Sequence, residues 1–117
     1  MIGKLTSVVM DCPEPRALAR FYSELLGLPV TYEDDDWVDV GAGKPWRLSF
    51  QLAPDHRPPR WPDPAFPQQF HLDVRVDEVE TAEKAVLAAG ATRLPGGGSH
   101  FRVCADPAGH PFCLVWE

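Results

Sequence analysis

The stretch Phe70-His71-Leu72-Asp73-Val74-Arg75-Val76 decides the fold. It alternates strictly. Leu72, Val74 and Val76 fall on one side, and His71, Asp73 and Arg75 on the other. A strand of period 2 has this pattern when one face packs on a core and the other meets water or a polar space. A helix signal follows at once. Asp77 with Glu80 three residues on has capping-box spacing. Val79, Ala82, Val86 and Ala89 then recur at helical intervals, and Gly90 ends the run. The pattern predicts a strand that turns directly into an amphipathic helix, with a histidine at the strand's entry on its polar face.

The same order occurs earlier in the chain. Leu5–Met10 reads as a strand. Asp11-Cys12-Pro13-Glu14-Pro15 leads into a helix whose apolar stripe is Ala17, Leu18, Phe21, Tyr22, Leu25 and Leu26, stopped by Gly27. Val30–Glu33, Trp37–Val40 and Trp46–Leu52 read as strands, with the acidic run Asp34–Asp36 as a solvated turn. After the second helix come a short strand at Ala91–Leu94, a glycine-rich loop at 95–99, and strands Phe101–Cys104 and Pro111–Trp116. The last two are joined by the turn signal Asp106-Pro107-Ala108-Gly109-His110. Ser7 overlays His71, Gly27 overlays Gly90, and Phe50-Gln51-Leu52 overlays Phe112-Cys113-Leu114, at an offset of 62 to 64 residues. Each half runs strand, helix, short strand, strand, strand.

The predicted fold is therefore α+β, two βαβββ modules whose strands form a cupped mixed sheet with helices on the outer face. All 117 residues make one domain: a first module over about 1–53, a connector over 54–69, and a second module over about 70–117. The connector holds Pro54, Pro58, Pro59, Pro62, Pro64 and Pro67, which forbids a helix or a central strand there. Trp61 and Phe66 within it read as residues that tie it to the domain.

Composition removes several function classes. A net charge of -6, with no Lys/Arg run, argues against nucleic acid. No apolar stretch approaches the roughly 20 residues of a membrane helix. The start Met1-Ile2-Gly3-Lys4 lacks a signal-peptide core. Cys12, Cys104 and Cys113 are odd in number and lack C-x-x-C spacing, so they read as reduced thiols in a cytoplasmic protein. Gly96-Gly97-Gly98 lacks the strand and helix that would make it a phosphate loop.

The chain resembles the vicinal oxygen chelate superfamily, which includes glyoxalase I, bleomycin-resistance proteins and extradiol dioxygenases. The likeness is to its short glyoxalase-like domains. It is carried by Val8–Pro15 with Phe21-Tyr22 and Leu25-Leu26-Gly27, by His71-Leu72-Asp73, and by Asp106-Pro107-Ala108-Gly109-His110-Pro111-Phe112. The resemblance implies four ligand positions in the cup, falling here on Ser7, Gln51, His71 and Cys113. As a metal set they are poor, because a divalent ion wants several imidazoles or carboxylates at once. The expectation is thus a metal-free protein that binds or sequesters a small metabolite or antibiotic, aromatic or cationic, with no cofactor. The alternative is a divalent-metal-dependent lyase or dioxygenase using His71, Gln51, and Glu117 or Cys113. Whether the chain is an enzyme stays open at this point.

The candidate ligand-binding residues are His71, Gln51, Ser7, Asp73, Cys113, Trp37, Trp46 and His100. Aromatic walls with a few placed polar groups suit a small-molecule pocket. Each residue also has a purely structural reading. His71 could bond within the fold, Asp73 could pair with Arg75 or a neighbouring strand, the cysteines could be small buried hydrophobes, and the tryptophans could serve burial. A Cys113–His71 nucleophile pair lacks an orienting third group. The resemblance also implies a homodimer, with the strand at Trp116 as a contact. A dimer module with no ligand is the remaining reading.

Overall fold

In the computed structural model, which describes residues 1–43 and 45–117, two stretches of about equal length fold in the same way. The chain divides into two compact units, Met1–His56 and Arg57–Glu117. The first contains β1 (Ser7–Cys12), α1 (Pro15–Leu26), β2 (Val30–Glu33), β3 (Trp37–Val40) and β4 (Arg47–Leu52). The second contains β5 (Leu72–Arg75), α2 (Val79–Ala88), β6 (Thr92–Arg93), β7 (Phe101–Ala105) and β8 (Pro111–Val115). Each unit forms a four-stranded mixed sheet. The orders are β1-β4-β3-β2 and β5-β8-β7-β6, so strand for strand the two are the same. In each, the first strand runs parallel to the last, and the other pairs are antiparallel. The fold is α+β and consists of two βαβββ modules.

The first unit's core lies between α1 and one face of its sheet. Pro15 occupies the first turn, where its missing N–H costs nothing. Leu18, Phe21 and Tyr22 then fall on one face and are buried. Tyr22 stacks on Phe50 at 5.6 Å between centroids and meets Phe21 edge-on at 5.1 Å. Met10, Val38, Val40, Leu48 and Phe50 complete this layer. Burying each of these side chains contributes about 1.5–3 kcal/mol. Gly27 ends the helix at φ 66, a left-handed conformation that a Cβ would strain, and its N–H bonds Ser23 O.

The second unit has the same plan with a thinner helix contact. Phe112 and Leu114 are buried under α2, but Val86 is the only fully buried residue of that helix. The capping box expected at Asp77 and Glu80 does not form. Glu78 is the N-cap, and no side chain caps the end. Glu80 is instead drawn to Arg102 on β7, Oε1 to Nη2 at 2.6 Å, and Glu83 takes the other arm of that guanidinium at 3.2 Å. A neighbouring cation outcompetes the helix's own N–H groups for the carboxylate.

The Asp-Pro-x-Gly turn has a clear physical basis. Asp106 is buried, and its Oδ1 accepts the N–H groups of Ala108 at 2.9 Å and His110 at 3.0 Å. Gly109 sits at φ 92, and a Cβ there would lie 2.5 Å from Pro58 Cβ. The proline-rich segment therefore presses on this turn. Trp61 ties it down further by donating Nε1–H to Pro95 O at 2.7 Å. Phe66 does not anchor it as expected. It remains 44% exposed, and the Arg60 guanidinium covers it at 4.3 Å. No helix among the described residues is long and apolar enough to cross a membrane.

Candidate functional site

The polar residues predicted from the sequence lie on the strand faces that their helices leave uncovered. In the first unit, Phe50 stacks on α1's Tyr22, so Arg47, Ser49 and Gln51 point the other way along β4. Register adds their neighbours: Ser7 lies across from Arg47, Asp39 from Ser49, and Asp11 and Trp37 flank Gln51.

A closed polar network occupies the middle of that face. Asp39 is buried, and its Oδ1 accepts Trp37 Nε1–H at 2.7 Å and Ser49 Oγ–H at 2.6 Å. Its Oδ2 lies 3.2 Å from Arg47 Nε. That contact is an ion pair with the N–H off the hydrogen-bond line, since Nε is buried and has no hydrogen-bond acceptor. Sequence reasoning named Trp37 but missed Asp39, Ser49 and Arg47. The signal was there: in Trp-Val-Asp-Val, a carboxylate shares a face with an indole while two valines hold the other face.

In the second unit, the helix-free face gathers a different set. Asp73 is directly across from Cys113 in the β5–β8 pairing, and His71 is one strand step earlier on the same face. His71 Nε2 lies 3.2 Å from Asp73 Oδ1. Ligand atoms of His71, Asp73 and Cys113 all fall within 4.8 Å of one another. His71 and Asp73 are exposed, whereas Cys113 is 7% exposed. Burial pushes the Cys113 thiol above its ordinary pKa, and the nearby Asp73 carboxylate pushes it further. Burial likewise raises Cys104, on the helix side of the same sheet.

The other predicted residues lie elsewhere. Glu117 pairs with Arg75 at 3.0 Å and does not join the His71 group. His100 is exposed, and its carbonyl accepts the Trp116 N–H at 3.1 Å. Trp46 is 37% exposed beside the start of β4. Ser7 and Gln51 share a face but sit four positions apart in register, Ser7 opposite Arg47 and Gln51 opposite Asp11. That register also realigns the repeat. Phe50 and Phe112 pair with Met10 and Leu72, so His71 corresponds to Val9, not Ser7, and Asp73 corresponds to Asp11.

A family model described as a glyoxalase-like domain matches residues 7–115. The chain belongs to the glyoxalase-like family of the vicinal oxygen chelate superfamily.

Solved structures agree on the fold of this glyoxalase-like protein. A glyoxalase/bleomycin resistance protein/dioxygenase family enzyme from Burkholderia phytofirmans is similar at TM-score 0.76 and 18% identity, covering 97% of this chain and 98% of that one. A glyoxalase-related enzyme from Fulvimarina pelagi is similar at TM-score 0.73 and 17% identity, covering 99% and 89%. The bleomycin-binding protein of Streptomyces verticillus, solved with copper(II)-bleomycin, is similar at TM-score 0.60 and 18% identity, covering 100% and 99%. No curated protein matches the chain.

The divalent ion associated with this superfamily can be tested against the residues present. Of the four positions the resemblance assigns, Ser7 faces the fixed cation Arg47, Gln51 offers only an amide, and Cys113 holds its proton. That leaves one imidazole. As a quartet the four do not fit a divalent ion.

Proposed function

We propose that this glyoxalase-like protein binds a small organic molecule on its helix-free strand faces and works without a resident catalytic metal. The observation that carries the reading is the donor chemistry just described: one imidazole, one amide and one protonated thiol, with apolar Val9 at the register equivalent of His71. Polar donors beside a half-buried indole suit reversible recognition better than Lewis-acid work. The bleomycin-binding relative supports small-molecule capture by this fold. A thermal-shift screen of metabolites and antibiotics, with and without chelator, tests the proposal. Stabilisation that survives chelation is the expected result. No stabilisation by any compound overturns it.

A second reading, a divalent-metal lyase or dioxygenase, is favoured by one specific observation: the convergence of His71, Asp73 and Cys113. An ion there would have to displace the thiol proton, which selects soft metals. Metal analysis decides between the readings. Uptake of zinc, nickel or copper that His71→Ala abolishes supports the second, and no uptake on soaking removes it.

A further inference from the structure

We infer that Arg47 and Ser7 form a recognition point for an oxyanion, and that the ligand carries a carboxylate. The inference rests on the binding reading above and names the ligand's chemical class.

The arrangement begins with Asp39. Two neutral donors, the Trp37 indole and the Ser49 hydroxyl, hold one of its oxygens, and the other faces Arg47 Nε at 3.2 Å. The carboxylate thus engages the guanidinium at its inner edge. Nε is buried, while the Arg47 side chain as a whole remains 42% exposed. Neither Nη is among the buried atoms lacking a partner, and Asp39 is the one ion-pair partner Arg47 has among the described residues. Among the described residues neither Nη has a hydrogen-bond or further ion-pair partner, and the side chain is partly open to solvent. A planar fork held in this way matches a carboxylate in two parallel hydrogen bonds.

Ser7 completes the point. Register places it directly across the parallel pair from Arg47, on the same face, and its hydroxyl has no partner among the described residues. The strand start is pinned, because Arg47 N–H donates to Thr6 O at 3.0 Å. The Arg47 stem packs on neighbouring backbone as well. Gly41, at φ 127, lies beside it, and a Cβ there would meet Arg47 Cβ at 3.4 Å, an ordinary packing distance. A surface arginine free to wave in water would need none of these restraints.

The chain's charge of -6 does not oppose this locally. Asp11, the other acid on this face of β1, is four residues beyond Ser7, about 13 Å along the strand. That exceeds the Debye length of about 8 Å at physiological salt. Asp39 is the one carboxylate within ion-pair distance of Arg47 among the described residues, and it is already shared among three donors.

The test uses the full chain, labelled with nitrogen-15, titrated with benzoate, benzamide or inorganic phosphate. The readouts are the Arg47 Nε–H resonance and the backbone amides of residues 7 and 47. Benzoate should shift them saturably, with Kd on the order of 1–10 mM for so small a probe. Arg47→Gln should weaken benzoate at least about 10-fold, and Arg47→Lys, which keeps the charge but loses the fork, should fall between. Ser7→Ala should cost about 2- to 3-fold and leaves the network intact, which guards against a misfolded arginine variant.

Benzamide binding as well as benzoate, or unchanged benzoate affinity in Arg47→Gln, overturns the inference while leaving small-molecule binding standing. Phosphate preferred over benzoate at Arg47 overturns the carboxylate assignment. Silence from all three probes overturns the oxyanion point, and a hit with a neutral compound in the thermal-shift screen would then show that only this inference had failed.

Discussion

The two halves share strand order, helix placement and register, yet put their polar groups in different places. In the first unit, Trp37, Asp39 and Ser49 form a closed network on β3 and β4. The register-equivalent positions in the second unit are Val103, Ala105 and Pro111, all unable to bond through a side chain. There the polar groups move to β5, where His71 and Asp73 replace Val9 and Asp11, and Cys113 replaces Gln51. Duplication preserves the scaffold because strand pairing and core packing demand it. It leaves the uncovered faces free to diverge, and there one half has acquired a satisfied network and the other an open cluster.

Two substitutions test the cores first, where the largest effects lie. Phe50→Ala should cost about 4 kcal/mol and Phe112→Ala about 3 kcal/mol. Both rings are fully buried; Phe50 stacks on Tyr22 of α1, a pairing worth about 0.5–1.5 kcal/mol, whereas the helix of the second unit buries one residue, Val86. Urea unfolding with unchanged slope measures both. Equal costs would mean that the thinner contact of α2 is not a weakness.

The closed and open polar groups come next. Asp39→Ala should cost about 3 kcal/mol, because it strands a half-buried indole N–H and a buried hydroxyl and releases Arg47. Asp73→Ala, removing a carboxylate that is 60% exposed, should cost less than about 1 kcal/mol. The same unfolding experiment reads both. A reversal of that order would break the distinction between satisfied network and open cluster.

The sequence made the scaffold readable wherever a local pattern had a single physical cause. The alternation at 70–76, the stop at Gly27 and the Asp106 turn each reflect one dominant constraint. Register was harder. Alternation in Leu5–Met10 tells which side chains share a face but not where pairing begins, so Ser7 was matched to His71 when the ladder aligns Val9 with it. The Asp77–Glu80 cap failed for a long-range reason, since Arg102, distant in sequence, claims Glu80. At the site, His71 and Asp73 are legible because alternation puts them on one face, and Cys113 enters through the family resemblance. Asp39 was passed over because a lone acid in a short strand acquires its meaning only from Ser49 and Arg47 on the neighbouring strand.

The thiol of Cys113 gives a pH-dependent contrast between the halves, because its first-unit counterpart, Gln51, does not titrate. The folded-state pKa is raised, chiefly by burial and then by Asp73. A raised pKa means that the stabilising contribution is complete below the ordinary thiol range and disappears as pH climbs through the folded value. Unfolding free energy should therefore decline at alkaline pH, and Cys113→Ala should remove part of that decline. Cys104, shifted the same way by burial, retains the rest. Alkylation at pH 8 should be slow in the folded protein and faster in Asp73→Asn. A thiol that reacts at the rate of free cysteine would contradict the burial seen on this face.

The smallest contrast concerns the ion pairs near each helix. Arg102 reaches Glu80 and Glu83 from a side chain that is 22% exposed, and its guanidinium lies 5.8 Å from the Trp116 ring. Arg16 in the first unit reaches Asp35 and Glu33 from a side chain that is 50% exposed. Water screens the second set more, and its partners are themselves more open. Arg102→Gln should lower Tm by at most about 3 °C, and Arg16→Gln should lower it less. High salt should shrink both differences by screening, though less for Arg102, whose contact with the indole survives as packing. A larger loss from Arg16→Gln would mean that the first unit depends on its surface charges more than its dense apolar core suggests.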